Sequence, residues 1–289
     1  MQKRLILGHI FSFITITIWS VAFVSNKALL AYISPIENMI LRFTIAYILL
    51  LIIYPKQILP NSLRDEFSFF ILGFLGIFIY FLLENFALKY TQATNVGLYM
   101  GAIPLFTAII AHLLTKDESL NKYTVIGFLV AIFGIALILL DGSKFQLRLK
   151  GDLLALLAAA VFALYSVALK LAPKGYHYIV IARKSFFYGL ILMGVYFFVS
   201  AKSFNIGALS IKTVWLNIAF LGLLSSGLAF ILWQQGIERI GSISASNYIY
   251  LVPLITAITG ITFLGESLTP KMIIGGILIL IGLYIAQKR

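Results

Sequence analysis

Lys27, Arg42 and Glu84 are charged side chains set within, or at the end of, long apolar runs. A charge at bilayer depth is costly unless it is paired, faces water or does work. Glu84 paired with Arg42 or Lys27 would offset much of that cost as a structural ion pair. The alternative is an outer gate, with Glu84 taking and releasing a proton to couple transport, while Lys27 can also snorkel to the interface. Lys170 and Arg183, with Lys184 beside it, form the corresponding set in the second half of the chain and are the candidate inner gate. The acid is not repeated: Glu84 aligns with Trp233 (233 − 84 = 149), whereas Asn85 aligns with another amide, Gln234. A carboxyl group unique to the first half is therefore the candidate coupling residue.

Polar and aromatic groups gather near two proline-bearing runs: Asn95 and Tyr99 before Pro104, and Asn247, Tyr248 and Tyr250 before Pro253, with Trp19 and Tyr165 on facing runs. Rings and a few amides would line a pocket for a small, partly apolar organic molecule. In a chain that is 15% aromatic, many rings simply pack or face lipid. Proline removes a backbone donor and kinks a helix. One such residue reads as a passive kink; two at equivalent positions point to a shaped central cavity.

Enzyme and metal chemistry find no support. His9, His112 and His177 are scattered, there are no cysteines, and no phosphate-binding glycine loop is present. Disulfides and Cys-based metal sites are excluded, and ATP is not the direct energy source. No cofactor and no metal are expected.

The elements that must position these residues come in two copies. Tyr99, Pro104-Leu105-Phe106-Thr107-Ala108-Ile109 and Glu118-Ser119-Leu120 return as Tyr248, Pro253-Leu254-Ile255-Thr256-Ala257-Ile258 and Glu266-Ser267-Leu268. The prolines are 253 − 104 = 149 positions apart. Glu118 and Glu266 fall at run ends and read as helix-end or loop-bonding residues. Gly127 and Gly134 match Gly275 and Gly282, and Trp19 to Lys27 resembles Phe162 to Lys170, with Phe162 in place of the tryptophan.

The chain has 289 residues, is 61% hydrophobic and only 11% charged, with a mean hydropathy of +1.03. A soluble domain carries about 25% charged residues, so the solvent for most of this surface is lipid. The net charge of +12 belongs to short connections and ends, as at lipid headgroups, and does not indicate nucleic acid. A span needs about 20 apolar residues. Ten candidates occur near 5–25, 35–54, 67–88, 94–114, 122–140, 152–171, 177–200, 213–235, 243–264 and 270–286. Their continuous apolar character indicates helices rather than alternating barrel strands. The first run, after Lys3-Arg4, lacks a cleavage site and reads as a retained helix.

The expected fold is an all-α membrane protein of ten transmembrane helices, in two five-helix repeats over 1–141 and 151–289. Five is odd, so the second copy is inverted; ten is even, so both termini share a side. Lys3, Arg4, Lys56 and Arg64 in the first connections favour the cytoplasm. Small-residue faces, with Gly127, Ala131 and Gly134 on one helix and Gly275 and Gly282 on another, read as close packing in the bundle or as a contact between two copies. The chain is thus a monomer or a homodimer.

The duplicated modules, Trp19-Ser20-Val21-Ala22-Phe23, Leu41-Arg42-Phe43 and Ala87-Leu88-Lys89-Tyr90-Thr91 together resemble the EamA family of the drug/metabolite transporter superfamily, over nearly the whole chain. That resemblance implies a ten-helix secondary carrier with a central cavity, cytoplasmic termini and no bound cofactor. It leads to the expectation of a bacterial inner-membrane exporter of a small metabolite or amino acid, with proton coupling resting on Glu84. An uptake carrier is chemically equivalent at this level, and a polytopic enzyme acting on a lipid would need clustered His, Asp or Ser that the sequence lacks.

Overall fold

The computed structural model describes residues 2–56, 59–91, 93–139, 148–200, 204–264 and 269–288, and every regular element among them is helical. The order is α1 (Gln2–Leu29), α2 (Pro35–Ile53), α3 (Leu63–Leu72), α4 (Tyr80–Tyr90), α5 (Ala93–Met100), α6 (Ile103–Leu114), α7 (Lys122–Leu139), α8 (Leu149–Lys170), α9 (Tyr178–Val199), α10 (Lys212–Ala219), α11 (Ala229–Ile240), α12 (Ser242–Ser246), α13 (Leu251–Leu264) and α14 (Pro270–Ala286). Two π-helical segments, Gly73–Ile79 and Phe220–Leu228, join α3 to α4 and α10 to α11.

Among the described residues, six stretches are long and apolar enough to cross a membrane: Gln2–Ala22, Pro35–Ile53, Leu63–Tyr90, Leu149–Lys170, Tyr178–Val199 and Lys212–Ile240. The other four expected spans are shorter apolar helices. Two of them break where the backbone cannot stay α-helical. The 94–114 run parts at Gly101-Ala102, and the 243–264 run passes through a 3₁₀ segment at Asn247–Tyr250. Pro104 is therefore near the start of α6, not a kink at mid-helix, and Pro253 sits two residues into α13. At these positions a proline lacks only an N–H that the first turn would leave unpaired anyway.

The polarity of the bundle fits lipid as solvent. Ile52, Leu113 and Phe198 are 73%, 74% and 86% exposed, while Ser20, Ser166, Ser225 and Asn247 are fully buried. Buried hydroxyls are satisfied locally: Ser20 donates to the Ile16 carbonyl at 2.7 Å and Ser166 to that of Phe162 at 2.9 Å.

Glycines set the closest helix contacts. On α7, a Cβ at Gly134 would fall 2.6 Å from the Gly275 carbonyl of α14, and one at Gly127 would fall 2.6 Å from that of Gly282. These small-residue faces close on each other within one chain, so bundle packing, not a second copy, occupies them. Gly8 and Gly151 likewise seat α1 and α8 against Ile240 and Thr91, two contacts 143 and 149 positions apart.

Candidate functional site

A cavity opens where α1, α2, α4, α8 and α11 surround both helix breaks. Its lining includes Trp19, Asn26, Arg42, Tyr80, Phe81, Glu84, Phe162, Ser225 and Phe230. It holds about 630 Å³ counted out to its mouth. Its enclosed part has room for only a few waters.

The sequence repeat is written into the walls. Met100 and Ile249, Ile103 and Val252, and Phe81 and Phe230 all line the cavity, each pair 149 positions apart. Trp19 and Phe162, the matched pair from the chain's two front segments, also meet there with ring centroids 5.6 Å apart. Proline cannot donate to the carbonyl four residues before it. Those carbonyls belong to Met100 for Pro104 and Ile249 for Pro253, and both residues line the cavity.

Arg42 is held across the bundle. Its Nε donates to Ser226 Oγ at 2.7 Å and its Nη2 to Ser225 Oγ at 3.0 Å, and its guanidinium lies 4.8 Å from the Phe81 ring centroid. Glu84 is 4% exposed; the Tyr80 hydroxyl reaches its Oε1 at 3.4 Å, and its Oε2 is buried without a hydrogen-bond partner. The two residues share the cavity, but no direct Arg42–Glu84 ion pair forms among the described residues; the serines take the guanidinium's donors instead. Trp19 donates its Nε1–H to the Ser225 carbonyl at 3.1 Å.

Other expected residues lie beyond this lining. Asn85 turns its amide to the Phe81 carbonyl at 2.7 Å. Asn247 donates to Ala286 O at 3.2 Å, and Tyr248 meets His9 Nδ1 at 2.9 Å. Gln234, Tyr165, Pro104 and Pro253 are buried in the core, and Tyr99 is partly buried against it. The side chains of Lys27 and Asn95, and the whole of Glu266-Ser267-Leu268, lie outside the described residues.

The cavity is offset toward one end. On α1 its lining runs from Ile16 to Asn26 and leaves out the first half of the helix. At the other end, where α1 begins and α14 finishes, polar contacts join distant elements. Lys170 Nζ lies 2.7 Å from Asp117 Oδ1 and 3.1 Å from Glu118 Oε2. Glu118 also accepts from the Ile243 N–H at 3.1 Å and from the Ser242 hydroxyl. Gly241, with φ of +87°, leaves the notch that the Glu118 carboxylate fills. The Lys170 hydrogen bond holds the Asp117 carboxyl below its ordinary range. Arg183 donates to the carbonyls of Tyr54 and Lys56, and Lys184 pairs with Glu66 at 2.7 Å. Lys170 and Arg183 are thus parts of two separate contacts, not one cluster.

Ser225, Ser226, Asn26 and Tyr80 were missed as cavity or partner residues by reasoning from sequence. The signal was available for the serines: Ser225-Ser226 interrupts an otherwise apolar run.

The EamA-like transporter family matches residues 6–140 and again 149–287. The uncharacterized transporter YyaM of Bacillus subtilis is 30% identical, covering 90% of this chain and 87% of its own length. A probable terminal-alkyne amino-acid exporter of Streptantibioticus cattleyicolor is 24% identical, covering 96% and 92%. A crystal structure with 20% identity superposes with a TM-score of 0.80 over 96% of this chain and 97% of that one, which supports the fold.

Proposed function

Because the chain belongs to the EamA-like transporter family, we propose that this multi-pass membrane transporter is a secondary carrier that exports a small metabolite or amino acid. The observation that carries the reading is one cavity lined by repeat-related pairs, Met100 with Ile249, Ile103 with Val252 and Phe81 with Phe230. Such pairing is what two inverted five-helix halves, 1–141 and 151–289, would build around a shared midplane. The broken spans complete the count of ten, and both termini face the cytoplasm of a bacterial cell.

Each wall group has a chemical task. Arg42 meets an anionic part of the cargo, exchanging its Ser225 and Ser226 bonds for a carboxylate or similar group. Trp19, Phe81, Phe162 and Phe230 cover its apolar part. Glu84, whose Oε2 has no partner, exchanges the proton that couples cargo to the gradient. The narrow space calls for the halves to part before cargo enters.

Alternating access then consists of opening the Asn26 end while the Glu118–Lys170 end is closed, and the reverse. Export is favoured over uptake because the Streptantibioticus relative is described as a probable amino-acid exporter. Reconstituted full-length protein, given labelled amino acids and other small metabolites at two proton gradients, tests cargo, direction and coupling together. Glu84→Gln should abolish the gradient dependence while exchange of cargo persists. Equal gradient dependence in this variant would remove Glu84 from coupling, and no flux of any cargo would remove the reading.

A further inference from the structure

A second recess lies away from the central cavity, between α2 and α9, lined by Tyr47, Val180, Arg183, Lys184 and Phe187. It opens about 480 Å³ counted out to its mouth. Its surroundings face lipid. Phe187, Ile191 and Val195 are 44%, 45% and 57% exposed at four-residue steps along α9, and Ile48 and Ile52 on α2 are 49% and 73% exposed. Arg183 is the sixth residue of α9, so the recess sits about 8 Å from the start of that helix, near the level where acyl chains meet headgroups.

The charge in this recess is uneven. Glu66 neutralises Lys184, holding its ammonium at 2.7 Å. Arg183 spends one nitrogen, Nη1, on the Tyr54 and Lys56 carbonyls, which are dipoles and not counter-charges. Its Nε is buried and has no hydrogen-bond partner, and among the described residues no carboxylate lies within ion-pair distance of it. The Lys56 ammonium, 6.0 Å from the Tyr54 ring, adds to the positive potential. A buried guanidinium N–H without an acceptor is costly, and a fork of donors at the lipid boundary matches a phosphate oxygen.

We propose that this recess binds one anionic phospholipid, its phosphate on Arg183 and its acyl chains along Phe187, Ile191 and Ile48. Lipid bound there clamps α2 to α9, two elements distant in sequence. Basic recesses between helices at the membrane boundary suit anionic headgroups in this way.

The full-length protein in phosphatidylcholine nanodiscs, with and without one-fifth phosphatidylglycerol, provides the test. Wild type should melt several degrees higher with the anionic lipid. Arg183→Gln should lose more than half of that gain, whereas Arg64→Gln, which removes an exposed charge elsewhere, should keep it. Equal losses in both variants would assign the gain to bulk surface charge and overturn the proposal. The same gain from inorganic phosphate or glycerol phosphate in pure phosphatidylcholine would make this a soluble-phosphate site and overturn it too. If Arg183→Gln fails to fold, native mass spectrometry of wild type decides: one phosphatidylglycerol retained per chain, at least fivefold over phosphatidylcholine, supports the site, and no preference overturns it.

Discussion

Lys170 and Glu118 meet at 3.1 Å between Nζ and Oε2, joining the end of α8 to the connection after α6. The same carboxylate caps α12 through Ser242 and the Ile243 N–H. One carboxylate therefore ties three elements together at the end of the bundle away from the cavity. Glu118→Ala removes a hydrogen-bonded, largely shielded anion and should cost about 1–3 kcal/mol, read as a lower melting temperature in detergent. Glu118→Gln, which keeps the amide-compatible contacts, should lose less.

The natural absence of cysteine makes labelling direct. Ala22→Cys, on the cavity wall, should react with a membrane-impermeant thiol reagent applied from the Leu29 side of α1. Adding Glu118→Ala should shift the population away from that opening and slow the reaction at least twofold. An unchanged rate would separate the Glu118 contact from access.

Asp117, its carboxyl lowered by the Lys170 hydrogen bond, supplies the pH dependence. A lowered folded-state value means that its contribution is complete above the ordinary aspartate range, near pH 4, and fades as pH falls through the folded value. The side chain is 72% exposed, so the effect is at most about 1 kcal/mol. The melting difference between wild type and Asp117→Asn should be constant from pH 7 to pH 5 and close below about pH 4.

Two glycine substitutions should have opposite outcomes. Gly134→Ala drives a methyl group toward the Gly275 carbonyl, 2.6 Å away, and should destabilise by about 1–3 kcal/mol. Gly194→Ala meets nothing within 4 Å and should be neutral or stabilising by up to about 1 kcal/mol, since alanine is the better helix former. Thermal melts of the two variants check both.

Arg42→Lys keeps a charge but cannot form the paired bonds from Nε and Nη2 to Ser226 and Ser225. Transport in proteoliposomes should fall at least tenfold, with Ser226→Ala milder. Full activity in Arg42→Lys would mean that a point charge is enough.

What could be read from the chain was whatever the repeat carries. The prolines, the matched glycines and the Trp19–Phe162 correspondence follow from pairing two stretches of sequence, and all bear on packing or on the cavity. Helix rotation was not legible, because it is set by how neighbours pack. Arg42 and Glu84 occupy similar depths, so an ion pair was a fair expectation. Their azimuths instead give Arg42 to two serines from the other half and leave one Glu84 oxygen without a partner. Glu118 was recognisable as a bonding residue at a helix end, but its partners across the bundle were not. Arg183 aligned with Arg42 by sequence, yet it reaches the carbonyls after α2 at the lipid-facing recess.

The π-helical segments bear on how such a wall is built. Tyr80 and Ala229 each donate to a carbonyl five residues back, Leu75 and Leu224, instead of four. The segments correspond across the two halves, since Gly73 shifted by 149 falls on Gly222, inside the second one. A residue gained or lost in an α-helix turns everything beyond it by about 100°. Phe81 and Glu84 in one half, and Phe230 in the other, thus owe their bearing to an extra residue upstream. Deleting a single residue from either segment would act like slipping a gear by one tooth: the helix would persist, and its lining face would swing into the lipid.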